Sequence, residues 1–460
     1  MKKIKLRSKE WFDNPDDPGL TAIYLERYLN YGLKREDLQS GKPIIGIAQS
    51  GSDLSPCNRH FQALSKTIKD GIREAGGVPM EFPTHPIQET GKRPTAALDR
   101  NLSYLSLVEV LYGYPIDGVI LTTGCDKTTP AALMAAATVN IPSIVLSGGP
   151  MLDGNYKGKK AGSGTIIWEA RKLHAKGEID YDEFMDMAAA SAPSIGHCNT
   201  MGTASSMNSI AEALGMSLPG GAIIPAPYKE RTEISFKTGK RIVEMVFENL
   251  TPSKIMTKEA FENAVYVASA IGASSNCPPH LTAIARHMGV DFKLEQWEKL
   301  GHNIPLLANC QPAGEHLMEG FFKAGGIPAI MKELIKDNKL NTKALTVTGK
   351  TIEENLSIKF DVDRDVIKSY ENTLSHNAGF IIMKSNFFSS AVMKTSVISS
   401  EFRERYLSNK DNLNVFEVKA VVFEGPEDYH LRINDKNLEV DENSILIIRG
   451  CGPVGYPGSA

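Results

Sequence analysis

Cysteine is scarce in this chain. Six are spread over 460 residues, at Cys57, Cys125, Cys198, Cys277, Cys310 and Cys451, with no CxxC pair. That excludes a disulfide framework and a local metal knuckle. An excess of one charge is also lacking: 51 Lys and Arg face 54 Asp and Glu, so no electrostatic footprint marks a binder of nucleic acid or anionic membrane. No run approaches the roughly 18 to 20 apolar residues of a membrane span. The basic start, MKKIKLRSKEWFDN, has no apolar stretch and does not read as a secretory signal. The expectation is a soluble cytoplasmic protein. No GxGxxG follows a predicted strand, which argues against a nicotinamide dehydrogenase. Repeats and low-complexity tracts are absent, setting aside solenoids and disordered tails.

What is there is a chain long enough for about three domain-sized units or one large α/β core. Its first half alternates short apolar runs with amphipathic stretches, the pattern of a parallel sheet. Strands are expected at Pro43 to Ala48, Asp117 to Thr122 and Ile141 to Leu146, with helices at His60 to Ala75 and Ala131 to Thr138. Tyr181 to Leu334 reads as mainly helical. Beyond about Ser375 the runs GFIIMKSN, VFEVKAVVFEG and SILIIRG are β-like with few helical periods, and Ser444 to Gly450 looks like an interior strand. The expected fold is therefore α/β: a parallel-sheet part, 1–375, followed by an incomplete β-rich, barrel-like part, 376–460. Because GCGPVGYPGSA ends in a glycine-rich loop, the chain is expected to be a fragment.

In parallel sheets ligands collect at the carboxyl ends of strands, beside helix N-termini. Cys57, in SDLSPCN, and Cys125, in GCDKTTP, both fall there. Cys125, Asp126 and Lys127 set a soft thiolate, a hard carboxylate and an amine side by side where a helix N-terminus favours the thiolate. The tripeptide equally fits an Asp N-cap beside a buried cysteine and a solvated lysine, and the residues alone leave both readings open. Cys198 precedes a small-residue helix in SIGHCNTMGTASS. Three thiolates from three loops are what an iron-sulfur cluster with one open iron requires, if the fold brings them together. Glu89 shares the stretch Thr84 to Leu102 with His85, Lys92, Arg93 and Arg100, a concentration of cations suited to an acidic substrate or simply a charged surface loop.

CDKTTPAALMA resembles the signature of the dihydroxy-acid and 6-phosphogluconate dehydratase family. HPIQETGKRPTAALDRNL, SGGPMLDGNYKGKKAGSGT, GEIDYDEFMDMAAASAPSIGHCNTMGTASSMNSIAEALGMSLPG and TPSKIMTKEAFENA resemble its sugar-acid branch, the L-arabinonate and D-xylonate dehydratases. The resemblance runs from about Lys42 to Ala460. It implies a hydro-lyase that turns an aldonate into a 2-keto-3-deoxy acid. It further implies Cys57, Cys125 and Cys198 as ligands of a 2Fe-2S cluster, 4Fe-4S being the alternative, and Glu89, Asp126 and Lys127 as magnesium ligands. Lys127 is carbamylated in the family, which makes it an anionic oxygen donor of the kind Mg²⁺ prefers and the candidate catalytic residue. A homodimer or homotetramer is implied as well.

Two departures stand out. In the family the next residue after GCGPVGYPGSA is a further magnesium-ligand glutamate, and a serine proposed as general base comes later; a natural product ending at Ala460 is expected to have little or no dehydratase activity. GASSNCPPHL stands where the branch usually has GGSTNAPIHL, and Cys277 there is read as a buried replacement for alanine. Cys310 and Cys451 receive the same structural reading. Of His85, His197 and His302, His197 ranks highest because it adjoins Cys198. The rivals are a dihydroxy-acid or 6-phosphogluconate dehydratase, and a catalytically inactive iron-sulfur binding fragment.

Overall fold

The computed structural model describes residues 5–30, 32–87, 97–357, 361–386, 388–408 and 415–452. Three short helices, α1 (Lys9–Phe12), α2 (Pro18–Leu29) and α3 (Arg35–Gln39), lead into the sheet. Four strands follow with helices between them: β1 (Ile44–Gln49), α4 (Phe61–Glu74), β2 (Val78–Pro83), α5 (Ala97–Gly113), β3 (Gly118–Thr123), α6 (Thr128–Val139) and β4 (Ser143–Ser147). They pair in the order β2-β1-β3-β4, every pair parallel. Every residue of β1, β3 and β4 is buried, as expected of parallel strands covered on both faces. β2 is an edge strand, and there Pro79 and Pro83 cost no ladder bond. Those prolines hide it from a sequence reading.

α6 starts at Thr128, three residues before the expected Ala131. Pro130 lies in its first turn, where the missing N–H would have no helical partner anyway. Ten of its residues are buried, and their small side chains let α5 and the later helix over Cys277–Met288 approach closely.

A small hairpin, β5 (Gly154–Tyr156) with β6 (Lys159–Ala161), precedes the helical middle of the chain. That part comprises α7 (Thr165–Ala175), α8 (Tyr181–Ala190), α9 (Thr203–Ala213), α10 (Lys229–Glu248), α11 (Pro252–Ile255), α12 (Lys258–Ala270), α13 (Cys277–Met288), α14 (Glu295–Gly301), α15 (Met318–Lys323), α16 (Gly326–Lys336) and α17 (Ile352–Asn355). One apolar core runs from Leu6 to Ile382. Trp297 of α14 and Phe380 meet in it edge to face, 5.1 Å apart.

The last part is less purely β than expected. β7 (Phe380–Met383) and β8 (Ala391–Lys394) form an antiparallel pair, and β9 (Lys419–Phe423) pairs in parallel with β10 (Ser444–Ile448). Two helices, α18 (Ser400–Tyr406) and α19 (Pro426–Arg432), interrupt them. β10 is not an interior strand: Ile445 is 46% and Leu446 39% exposed. An apolar run signals a strand but not whether anything covers its faces.

Candidate functional site

Three loops meet at the carboxyl edge of β1, β3 and β4. The first carries Cys57 and is anchored where Ser50 N donates to Thr122 Oγ1 at 2.9 Å, while Thr122 Oγ1 donates to Ala48 O at 2.7 Å. Asn58, fully buried, accepts the Cys125 amide on Oδ1 at 3.1 Å and so ties the first loop to the second. Gly124 makes that contact possible, since a Cβ there would stand 2.3 Å from Asn58 Oδ1. The third loop is pinned to the end of β4 by His197 N to Gly149 O at 3.0 Å and Met151 N to His197 O at 2.9 Å. It brings Cys198 in.

Asn208, on α9, joins these parts. Its Nδ2 donates to Gly124 O at 3.2 Å and Ala204 O at 2.9 Å, and its Oδ1 accepts from Thr123 at 2.9 Å and Thr129 at 3.2 Å. His197 Nδ1 lies 3.0 Å from the Cys198 carbonyl, which only accepts, so the ring proton sits on Nδ1. Burial pushes the His197 pKa down to about 3 and keeps the ring neutral.

The three thiols are brought together. A hydrogen bond with Cys125, then burial and the charges of Cys125 and Cys198, push the Cys57 thiol far above its ordinary range. Negative charge is thus opposed at this spot unless a cation is present, which suits iron. None of the six cysteines is in a disulfide.

Beside Cys125, Asp126 and Lys127 are 1% and 0% exposed. Lys127 Nζ donates to Asp126 Oδ1 at 2.9 Å, while Asp126 Oδ2 is buried and has no hydrogen-bond partner among the described residues. An unpartnered carboxylate oxygen in the interior is expensive and is the kind of atom a hard cation satisfies. Lys127 is therefore not the solvated lysine that the tripeptide alone allowed. Glu89, Lys92 and Arg93 lie outside the described residues. Among the described residues no three His, Cys, Asp or Glu side chains close around a single ion. Among these residues the thiols are not a ready one-ion cage.

Other expectations resolve individually. Arg100 is not part of an open charged loop: it sits on α5, 8% exposed, and its Nη1 donates to His280 Nδ1 at 3.0 Å. Burial, with the charges of Lys127 and Arg100, holds the His280 pKa well below the usual range. Cys277 opens α13, fully buried, and burial pushes its thiol up to about 12, in keeping with a core role. Cys310 is also buried, but Cys451 is exposed and is not a core cysteine. His85 is half-buried with Nε2 unpartnered, and His302 caps α14 beside Gly379. Asn58, Asn208 and His280 were missed as functional candidates. Asn58 directly follows Cys57, a signal that was available, whereas the other two show their role only through partners distant in sequence.

A cleft of about 1080 Å³ opens over Arg100, Tyr104, Pro279 and Arg286, with Val392 and Cys451 on its far wall. A second, of about 1040 Å³, is lined by Trp11, Met80 and Tyr114 and contains none of the thiols. Among the described residues no helix is long and apolar enough to cross a membrane.

The family model described as dihydroxy-acid/6-phosphogluconate dehydratase N-terminal matches residues 42–355, and its C-terminal counterpart matches 365–460. The chain is 59% identical over 456 residues to a D-xylonate dehydratase of Caulobacter vibrioides, covering 99% of this chain and 76% of the relative. It is 43% identical over 457 residues to an L-arabinonate dehydratase of Rhizobium leguminosarum, with the same 99% and 76% coverage. Against a dihydroxy-acid dehydratase of Halothermothrix orenii the identity is 35% over 439 residues, 94% of this chain and 77% of that one. With its family models matched over most of the sequence, this chain belongs to the dihydroxy-acid/6-phosphogluconate dehydratase family of hydro-lyases.

Proposed function

We propose that the protein dehydrates a sugar acid, D-xylonate or L-arabinonate first among them, to a 2-keto-3-deoxy acid. The observation that carries this reading is the meeting of Cys57, Cys125 and Cys198 beside a buried Asp126–Lys127 pair with a spare carboxylate oxygen. The sugar-acid choice is supported by the higher identity to relatives so named, 59% and 43%, than to the dihydroxy-acid dehydratase at 35%. A division near Ser375, with a barrel-like module after it, is part of this proposal; the two family matches part earlier, between residues 355 and 365.

Cys57, Cys125 and Cys198 would hold a 2Fe-2S cluster, and Asp126, carbamylated Lys127 and Glu89 would hold Mg²⁺. When bound, the cluster supplies a Lewis acid for the departing C3 hydroxyl and Mg²⁺ supplies positive charge for the substrate carboxylate and C2 hydroxyl. The chain's own part is preorganisation. Asn58 and Asn208 fix the Cys125 loop so that its thiol does not have to reorganise during the reaction. His197, neutral and bonded to the Cys198 carbonyl, adds no charge that would compete for the thiolate. Burial of Asp126 and Lys127 excludes water from the cation's ligands.

The test is a keto-acid assay on protein prepared anaerobically from the whole open reading frame, with D-xylonate, L-arabinonate, D-gluconate and dihydroxyisovalerate, with and without Mg²⁺. Magnesium-dependent turnover of a pentonate is expected. Turnover of dihydroxyisovalerate alone would replace the substrate class, and a protein that never acquires visible absorbance would end the reading.

A further inference from the structure

Arg100 and His280 stand 180 residues apart in sequence and share one buried hydrogen bond. A guanidinium only donates, so His280 Nδ1 is the accepting nitrogen and the ring proton is on Nε2. That Nε2–H is buried and, among the described residues, has no hydrogen-bond partner. An unmade bond at a buried donor is destabilising, so an arrangement that enforces it calls for a ligand. His280 lies in the first turn of α13, which packs against α6, and Lys127 is the residue that caps α6. Cys277, at the start of α13, feels the charge of Asp126, and the His280 ring feels that of Lys127. The start of α13 therefore lies close to the Asp126–Lys127 pair at the start of α6.

We propose that Arg100 and His280 form a positioning relay for Lys127: Arg100 fixes the tautomer, and His280 Nε2–H donates to an oxygen of the carbamate formed on Lys127 Nζ. The inference rests on the reading of Lys127 as a carbamate. In that step the ammonium gives up one proton, the amine lone pair forms a bond to the carbon of carbon dioxide, and one C=O π pair becomes a carboxylate lone pair. The nitrogen then sheds a second proton to solvent. The side chain passes from cation to anion, so its bond to Asp126 is replaced by repulsion, and a neutral donor on the far side becomes stabilising. A second histidine proton, on Nδ1, is excluded by Arg100.

The test measures carbamate by ¹³C NMR against the concentration of ¹³C-bicarbonate, using protein from the whole open reading frame with its cluster in place. His280→Leu removes the donor, His280→Gln keeps one donor and one acceptor, and Arg100→Met releases the tautomer. Loss of a hydrogen bond to a charged group raises the half-saturating bicarbonate about 10- to 100-fold in His280→Leu. His280→Gln recovers part of the difference, Arg100→Met shows a smaller rise, and the visible spectrum is unchanged in all three. Uptake equal to wild type in His280→Leu overturns the relay and leaves Lys127 as read. If that variant does not fold, unchanged uptake in Arg100→Met overturns it instead. Absence of a carbamate signal in the wild type removes both the relay and the reading beneath it.

Discussion

Cys57, Cys125 and Cys198 differ from the other three cysteines in what surrounds them. Cys277 and Cys310 are fully buried, and burial is the first cause that pushes each thiol up, where for Cys57 it is the neighbouring thiol of Cys125. The site trio instead sits on loops, two of the three only partly buried, and Cys125 and Cys198 are close enough to oppose the ionisation of Cys57. Cys125→Ser is therefore expected to abolish the visible absorbance of the anaerobically prepared protein, whereas Cys277→Ala leaves it intact. Retention of full colour by Cys125→Ser removes Cys125 from the ligand set. These cysteines were legible because each lies in a loop between a strand or turn and a helix, with unusual neighbours such as Asp126 and Lys127. His280 was not, because nothing local distinguishes a histidine near the start of a helix from any other buried one until its distant partner is known, and Arg100 was legible only as one of a group of cations, not as that partner.

The strands β1, β3 and β4 could be read from continuous apolar runs, and their observed bounds differ from expectation by one or two residues. Their spatial order could not, since β1 pairs with both β2 and β3 and chain order does not say which lies where. What turns these strands into a site is a set of buried polar contacts at their ends. Gly124→Ala would push a methyl into Asn58 Oδ1 and break its bond to the Cys125 amide, so lower cluster occupancy is expected at nearly unchanged secondary structure. Asn208→Leu is more severe. It leaves Thr123, Thr129 and the Gly124 carbonyl without a partner in the interior, at about 1 to 3 kcal/mol for each group that finds no substitute. Chemical denaturation of the two variants checks the order. An Asn208→Leu protein as stable as wild type would mean that water or a rotated threonine replaces the amide.

Two buried groups that both feel the charge of Arg231 are expected to couple stability to pH. That guanidinium is fully buried, donates to Ser147 O at 2.6 Å and Gly221 O at 3.0 Å, and also bonds Ile224 O, so it locks the end of β4 to the chain that follows α9. Its charge reaches both His60 and Glu212. Burial pushes His60 from 6.5 down to about 4, although its Nε2–H is bonded to Gly148 O. A histidine with a depressed pKa contributes stability above 6.5 that is lost as pH falls toward 4. Burial pushes Glu212 from 4.5 up to about 7, against the Gly220 and Ala222 amides that it accepts. A carboxyl with a raised pKa contributes below 4.5 and loses that contribution as pH rises toward 7. Each group shifts stability by about 3 kcal/mol across its window, with opposite sign, so between pH 4.5 and 6.5 their contributions largely offset. Single substitutions should unmask them. Relative to wild type, Glu212→Gln is expected to lose stability at about pH 5, where the neutral carboxyl is well accommodated, and to recover most of it by about pH 8. His60→Gln should show the reverse, its deficit shrinking toward acid. Denaturant midpoints at the two pH values decide the matter: a Glu212→Gln deficit equal at both would mean that the carboxyl does not change charge in the folded protein over this range.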